Sequence, residues 1–576
     1  MQALSDAFFQ GETLTYVIAA LVFFAGAHIL QSTFGPLFGR KIPQPKGLAT
    51  GRLGIVKSAA LDGQRQLVAI WCDESVHLVE IGGPNDLVVE TYFSGAGGGF
   101  EDIEETAPGE DALEAVRFRR LRSYIQPASR IFVGPGLVPL AVVSGIAGAG
   151  AGLICGLFRM SLEAADRFRL SLPGVWQGEP LLGASLLIMG AAAAGALSAW
   201  LVRRFSENAA GSGIPHVEAV LNGELPPAPL ILLPVKFFGG LLAIGSGFAL
   251  GREGPCVQMG ATLANLLGKF LGRDPADCLS LLAAGAGAGL AAAFNAPFAG
   301  AVFVLEELTR KFDTRNAIAA LGASGSAIVV ARLFTGPAPD FAVTNVAYPV
   351  LGDNLWCLAL GAAAGLLGIV YNHVLLGALA LADRLARWPV EIRAALVGAA
   401  VGALAWFAPD LAGGGDALTQ SALDGKAVLV LLPFIYVLRL FLGAASYAVG
   451  TPGGVFAPLL VLGAQMGFIF GGLVDLSLAG SGTHATAFAL VGMAALFAAV
   501  VRAPLTGMIL VTEMTDNSRL LLPMLAACFS AMAVATILRE PPLYDSLKER
   551  TLEQARKKAE LLSRKSASEP VRIKVR

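Results

Sequence analysis

The stretch LLAIGSGFALGREGPCVQMGA, Leu241 to Ala261, is apolar on both sides of a break, Gly251-Arg252-Glu253-Gly254-Pro255. Glycine lets a chain turn tightly, and proline suits the first turn of a helix, where its missing N–H is not needed. The break therefore predicts a helix that begins in the middle of apolar sequence. Two other breaks have the same make-up: Gly211-Ser212-Gly213-Ile214-Pro215 and Gly454-Val455-Phe456-Ala457-Pro458. Each start offers free backbone N–H groups and the positive end of a helix dipole, which together suit an anion. Three starts converging on one point would replace the water shell of a small anion. They would do so without a full positive charge in lipid, which would hold the anion too tightly to release it.

Two of these breaks belong to a longer duplication. Lys236 precedes Pro255 by 19 residues, Gly251 precedes it by four, and Gly260-Ala261 follow at five and six. Arg439, Gly454 and Gly463-Ala464 stand at the same offsets from Pro458. Further on, Ala296-Pro297, Gly300 and Glu306 are matched by Ala503-Pro504, Gly507 and Glu513, with nine residues from Pro to Glu in each. Agreement across two separated blocks predicts a membrane domain of two related halves. Secondary transporters are commonly built from an inverted pair, with broken helices meeting near the midplane; the sequence shows the duplication, and the inversion is inferred from it.

The whole chain agrees with a bilayer setting. Of 576 residues, 55% are hydrophobic and only 15% charged, against about 25% charged in soluble domains. That excludes an ordinary cytosolic enzyme, a disordered chain and a polybasic nucleic-acid binder. Net charge is −1, so bulk charge points to no partner. Six scattered cysteines without a CxxC and five unclustered histidines give no metal-ligand spacing, and neither a metal nor a cofactor is expected.

From Thr13 to Gly39 no residue is charged, enough to cross a core that needs roughly 20 apolar residues. The preceding MQALSDAFFQGE has two acids and no base, the reverse of a signal-peptide n-region, so the span reads as a retained anchor. Arg40, Lys41, Lys46 and Arg52 follow it, which predicts an N-terminus outside and the next segment in the cytoplasm. Residues 51–93 then alternate β-rich runs (Leu67–Trp71, Val76–Ile81, Leu87–Val89) with turn signals, predicting a small β module. Its stretch HLVEIGGPNDLVVE, directly after a single span, resembles the small O component of the flagellar export apparatus; a generic cytoplasmic β module is the alternative. A Gly-rich linker with seven acids between Glu101 and Glu114 ends in Arg117, Arg119, Arg120 and Arg122, the expected cytoplasmic edge of a membrane domain. The tail from Lys548 carries ten Lys/Arg and four Glu and predicts a cytoplasmic helix followed by solvated chain. The expected parts are thus an anchor (1–40), a β module (41–95), a linker and basic edge (96–122), a transport domain (123–548) and a basic tail (549–576).

In order along the chain come GSGIPHVEAV, LPVKFFGG with GREGPCVQMG, AAAFNAPFAGAVFVLEEL, GGVFAP, APLTGMILVTEMTDN and PPLY. This ordered set resembles the CLC family of chloride channels and chloride/proton exchangers, over about residues 117–548. The resemblance implies an all-α polytopic fold with two inverted repeats and many broken intramembrane helices. It further implies a homodimer in a bacterial inner membrane, each subunit with its own pathway for chloride and protons.

Site roles follow from the same resemblance. Ser212 would offer its hydroxyl to chloride, the backbone N–H groups of Val455 and Phe456 would add donors, and the Tyr544 phenol would complete the inner coordination. A plain helix cap competes for Ser212, and an interfacial aromatic anchor for Tyr544. A carboxylate at an intramembrane helix start is costly unless the place favours an anion. Glu253 would therefore occupy the outer chloride position when ionised and swing away when protonated. Glu307 matches the internal proton-transfer glutamate of the exchangers, and a salt-bridged helix-end carboxylate fits Glu306 and Glu513 better. Both Glu253 and Glu307 together favour an exchanger over a gated channel. A flagellar export scaffold with an inert membrane anchor is the third option, disfavoured by the polar residues at midplane.

Overall fold

The computed structural model describes the backbone of four strands between residues 53 and 93, and residues 136–343, 353–477 and 484–568. The Thr13–Gly39 anchor and the acidic linker lie outside the described residues.

The four strands belong to a unit of their own. Within it β1 (Leu53–Ala60), β2 (Gln66–Cys72), β3 (Ser75–Ile81) and β4 (Leu87–Phe93) make an antiparallel meander in sequence order. Val68 stands opposite Val79, and the register slips between Leu78 and Val79. The three expected runs are β2 to β4, while β1, LGIVKSAA, is interrupted by Lys57 and Ser58 and is recognised only through its pairing with β2.

The other unit is helical. Its first half runs α1 (Leu137–Val175), α2 (Pro180–Phe205), α3 (Ile214–Leu221) and α4 (Leu232–Gly245). It continues through α5 (Glu253–Phe270), α6 (Pro275–Phe294), α7 (Pro297–Phe303) with a π turn Val304–Leu308, and α8 (Thr314–Thr335). The second half repeats the series: α9 (Asp353–Arg384), α10 (Val390–Phe407), α11 (Asp416–Leu423) and α12 (Leu432–Ala448). Then come α13 (Phe456–Ser477), α14 (His484–Val501), α15 (Pro504–Thr515) and α16 (Leu521–Ile537), before a long final helix, α17 (Leu543–Ser568). Every helix of the first half has its counterpart eight places later, so the duplication extends well beyond the motifs that revealed it.

Seven of the described helices are long and apolar enough to cross a membrane, and four shorter apolar ones accompany them. Leu181, Val329, Phe434 and Phe529 are among many large apolar side chains left exposed on helix surfaces. A soluble domain would bury such faces; a bilayer covers them. The chain is a multi-pass membrane protein.

The halves meet reciprocally. Gly251 N–H donates to Gly454 O (2.9 Å) and Gly454 N–H to Gly251 O (2.7 Å). These glycines hold the same place in the two repeats, so each touches its own counterpart, as only residues beside a local two-fold axis do. The glutamates of the AP-x-x-G motif behave the same way. Glu306 accepts from the backbone N–H groups of Leu505 (3.0 Å) and Thr506 (2.7 Å) at the start of α15. Glu513 accepts from Phe298 (3.1 Å) and Ala299 (2.8 Å) at the start of α7. The expectation of salt-bridged carboxylates is therefore corrected. Each glutamate caps the other half's helix start, because four N–H groups there lack intrahelical partners.

Gly260 and Gly463 are explained by packing. A Cβ on Gly260 would collide with the backbone carbonyl of Gly285 on α6, and one on Gly463 with that of Gly492 on α14. Helices α5 and α6, and α13 and α14, thus touch backbone to backbone, the close approach that small residues permit in membranes. Replacing Glu306 with Ala removes the acceptor for Leu505 and Thr506 and is expected to cost about 1–3 kcal/mol. Thermal unfolding in detergent measures this; an unchanged midpoint would show that the cap is dispensable.

Candidate anion site

The three expected helix starts are all present. Gly213 takes a left-handed φ of 85° as the cap of α3, which a side chain would strain, and Ile214 and Pro215 open the helix. Arg252 precedes α5, with Glu253, Gly254 and Pro255 as its first three residues. Phe456 opens α13, with Pro458 in its first turn. Backbone bonds stitch the starts together. Gly211 N–H donates to Thr451 O (3.1 Å) and Gly453 N–H to Gly211 O (3.0 Å), beside the Gly251–Gly454 pair.

Glu253 lies at the centre, fully buried. Its Oε1 accepts from Phe456 N–H at 2.7 Å and from Ala457 N–H at 3.4 Å, while its buried Oε2 has no hydrogen-bond partner among the described residues. The carboxylate thus occupies the anion-seeking end of α13. Phe456 is the repeat counterpart of Glu253, so one half supplies the negative group and the other the N–H that receives it.

Ser212 is across Gly254: a Cβ on that glycine would run into the Ser212 hydroxyl and backbone. Among the described residues the Ser212 hydroxyl and the Tyr544 hydroxyl are both buried without a hydrogen-bond partner. Buried hydroxyls are ordinarily satisfied, so each is a candidate contact for a polar or anionic guest. The plain-cap alternative for Ser212 fails, because its side chain makes no cap hydrogen bond to α3. Tyr544 is not an interfacial anchor either, being fully buried at the start of α17 with its ring 5.7 Å from that of Phe456. Phe456 also contacts Phe303 and Phe497 edge-on, which fixes its ring in the core. Val455 is buried immediately before Phe456.

Two cavities approach this centre. One of about 200 Å³ is lined by Gly251, Arg252 and Ala457, on the Glu253 side. Another of about 420 Å³ is lined by Gly211, Gly213 and Tyr447, on the Ser212 side.

Glu307 stands apart, in the π turn after α7, an irregularity often found at functional sites. Its side chain is 4% exposed, its Oε1 makes no hydrogen bond, and Arg310 Nη2 lies 3.9 Å away. Arg310 is held by Asp545 (2.8 Å) and approaches Glu218 (3.4 Å), which is paired in turn with Lys548 (3.0 Å).

Three residues escaped the sequence reading of the site. Lys236 is wholly buried and donates to Ala209 O (3.1 Å) and Gly211 O (2.7 Å), fixing the chain before Ser212. Arg439, its counterpart, donates to Leu411 O, Gly413 O and Gly414 O before α11. Tyr447 receives the Ser212 N–H at 3.4 Å. The signal for the first two was already visible: a cation 19 residues ahead of each proline, in apolar sequence, implies a fixed intramembrane partner. Tyr447 carries no such signal, being one aromatic in an apolar helix.

Duplicated halves, broken helices and a buried centre of helix N-termini define a multi-pass membrane protein with the architecture of a secondary transporter. Comparison with known proteins agrees. The family model "Voltage gated chloride channel" matches residues 194–536. The H(+)/Cl(-) exchange transporter ClcA of Vibrio parahaemolyticus is 36% identical over 454 residues, covering 76% of this chain and 95% of that one. ClcA of Cronobacter sakazakii is 40% identical over 364 residues, covering 61% and 77%. The crystal structure of a slow cyanobacterial Cl−/H+ antiporter aligns with a TM-score of 0.69 at 32% identity, over 72% of this chain and 98% of that one. The chain belongs to the CLC, or voltage-gated chloride channel, family.

Proposed function

We propose that the protein is a Cl−/H+ antiporter of a bacterial inner membrane, working as a homodimer with one pathway per subunit. One observation carries the reading: the Glu253 carboxylate sits on the N–H of Phe456, where a chloride ion would sit. Carboxylate and chloride then compete for one set of donors. A proton arriving on Glu253 removes its charge, weakens its hold on the donors and yields the place to chloride. When chloride leaves, the ionised carboxylate returns. Ser212, Val455, Phe456 and Tyr544 hold the anion, and Glu253 carries the proton from one face.

Glu307 receives the proton from the other face. Arg310 and Lys311 follow it, and the positive-inside tendency puts that end in the cytoplasm. The Ser212 cavity then opens inward, the Glu253 cavity outward, and α17 lies on the cytoplasmic side. The similarity to named exchange transporters and to a solved antiporter supports the same reading. In purified vesicles an imposed chloride gradient is expected to drive protons uphill. Chloride flux with no proton movement at any pH would favour a gated channel instead. Deleting Met1 to Ala115 separates transport from an export-scaffold role: unchanged flux makes the β module an accessory, lost flux makes it part of the transporter.

A further inference from the structure

The cavity on the Glu253 side is rimmed by six charged residues: Arg159, Glu163, Asp166, Arg252, Asp340 and Asp416. Asp340 joins the two arginines among them. One of its oxygens pairs with Arg159 Nη2 at 2.7 Å and the other with Arg252 Nη2 at 2.9 Å, and its side chain is 4% exposed. Arg159 comes from α1 and Arg252 directly precedes Glu253, so a single carboxylate ties a long outer helix to the gate-bearing helix start.

The two residues that follow Asp340 are held by hydrogen bonds. Phe341 N–H donates to Met514 O (2.9 Å), and Gln420 both accepts from Ala342 N–H (3.1 Å) and donates to Ala342 O (2.8 Å). The segment after α8 is thereby pinned to α15 and α11. The two arginines keep other partners: Arg159 Nε binds Glu163 (2.9 Å) and Arg252 Nε binds Ala293 O (2.9 Å). Arg159 Nη1 is buried with no hydrogen-bond partner.

We propose that Asp340 is a positioning residue that sets how strongly the outer cavity attracts chloride. It is one of four carboxylates facing two guanidiniums on this rim, and it holds both guanidiniums in place beside the path of the entering anion. A charged cleft with low-dielectric walls concentrates counter-ions, so one carboxylate more or less changes the local chloride concentration. The inference rests on the antiporter reading.

The test measures half-saturating chloride separately from each side of oriented vesicles. Asp340→Asn is expected to lower the outside value roughly three- to ten-fold, the effect of one charge facing a wet cavity. The inside value stays, and the outside shift shrinks as an impermeant salt is added. Asp340→Glu returns the value toward that of the unsubstituted protein, and Arg159→Gln moves it the opposite way. An unshifted outside value in Asp340→Asn, or equal shifts on both sides, overturns the proposal. If that variant does not fold, a lowered or unchanged outside value in Arg159→Gln overturns it. Unsubstituted protein without chloride flux would overturn the antiporter reading itself; normal flux with an unshifted variant removes only the role of Asp340.

Discussion

Glu253→Gln is expected to keep passing chloride while proton transport falls to the leak of empty vesicles, with flux no longer varying with pH. The amide has nearly the shape of the acid, so the packing around the start of α5 survives. Its carbonyl oxygen can still accept from Phe456 N–H, but a neutral acceptor binds about half as strongly as a carboxylate. Chloride therefore competes more easily for the donors. A side chain that neither ionises nor takes up a proton has nothing to carry across. In the unsubstituted protein, falling pH is expected to protonate Glu253, free the donors and raise chloride flux; in the variant that rise is expected to be absent. The measurement is chloride efflux and pH recorded together across a pH series. Retained coupling would take Glu253 out of the proton path, and lost chloride flux would mean that its charge is needed to shape the site.

The pairing of Glu253 with Phe456 also shows what the sequence could and could not reveal. The breaks at Gly211, Gly251 and Gly454 were legible because glycine and proline act locally, on the backbone dihedrals of the turn where they stand. The duplication was legible because close helix contacts at Gly260 and Gly463 tolerate no side chain in either half. Reciprocal capping by Glu306 and Glu513 was not legible. Each glutamate's partners lie about 200 residues away, and nothing in either local sequence says which N–H groups it will meet. The Asp340 bridge escaped for the same reason, since Arg159, Arg252 and Asp340 are adjacent only after α1, α5 and the segment beyond α8 have packed.

A fourth helix start follows from the two-fold relation. Gly415, with a left-handed φ of 100°, caps α11 as Gly213 caps α3, and Arg439 braces its approach as Lys236 braces the other. The position matching Ser212 is Gly414, and Asp416, the first residue of α11, matches Ile214, so this start lacks the hydroxyl and carries an acid two residues further on. The scaffold is therefore nearly symmetric and the chemistry is not. Ser212 against Gly414 and Glu253 against Phe456 are the substitutions that turn a symmetric frame into a directed path. A search for function in such a duplicated chain gains most from the places where matched positions differ.

Glu307→Gln is expected to abolish proton coupling while chloride still passes, and Glu306→Gln is expected to leave coupling intact. The two acids are adjacent in sequence and opposite in circumstance. Glu306 spends both oxygens on the start of α15, with a third bond from the Thr506 hydroxyl at 2.8 Å, so its charge serves helix capping. Glu307 is turned inward by the π turn, with one buried oxygen free of hydrogen bonds. Arg310, the nearest cation, is engaged with Asp545 and so neutralises Glu307 only in part. A carboxyl held in this way can gain and lose a proton without dismantling a helix start, which Glu306 cannot. Glutamine at 307 keeps the size and removes the titration, so protons find no relay between the cytoplasm and Glu253. The chloride donors lie on other elements and are untouched. The paired vesicle assay with thermal unfolding separates the roles: Glu307→Gln loses coupling at unchanged stability, whereas Glu306→Gln loses stability at unchanged coupling. The reverse pattern would assign the internal proton transfer to Glu306, and coupling retained by both variants would place the path in a chain of water.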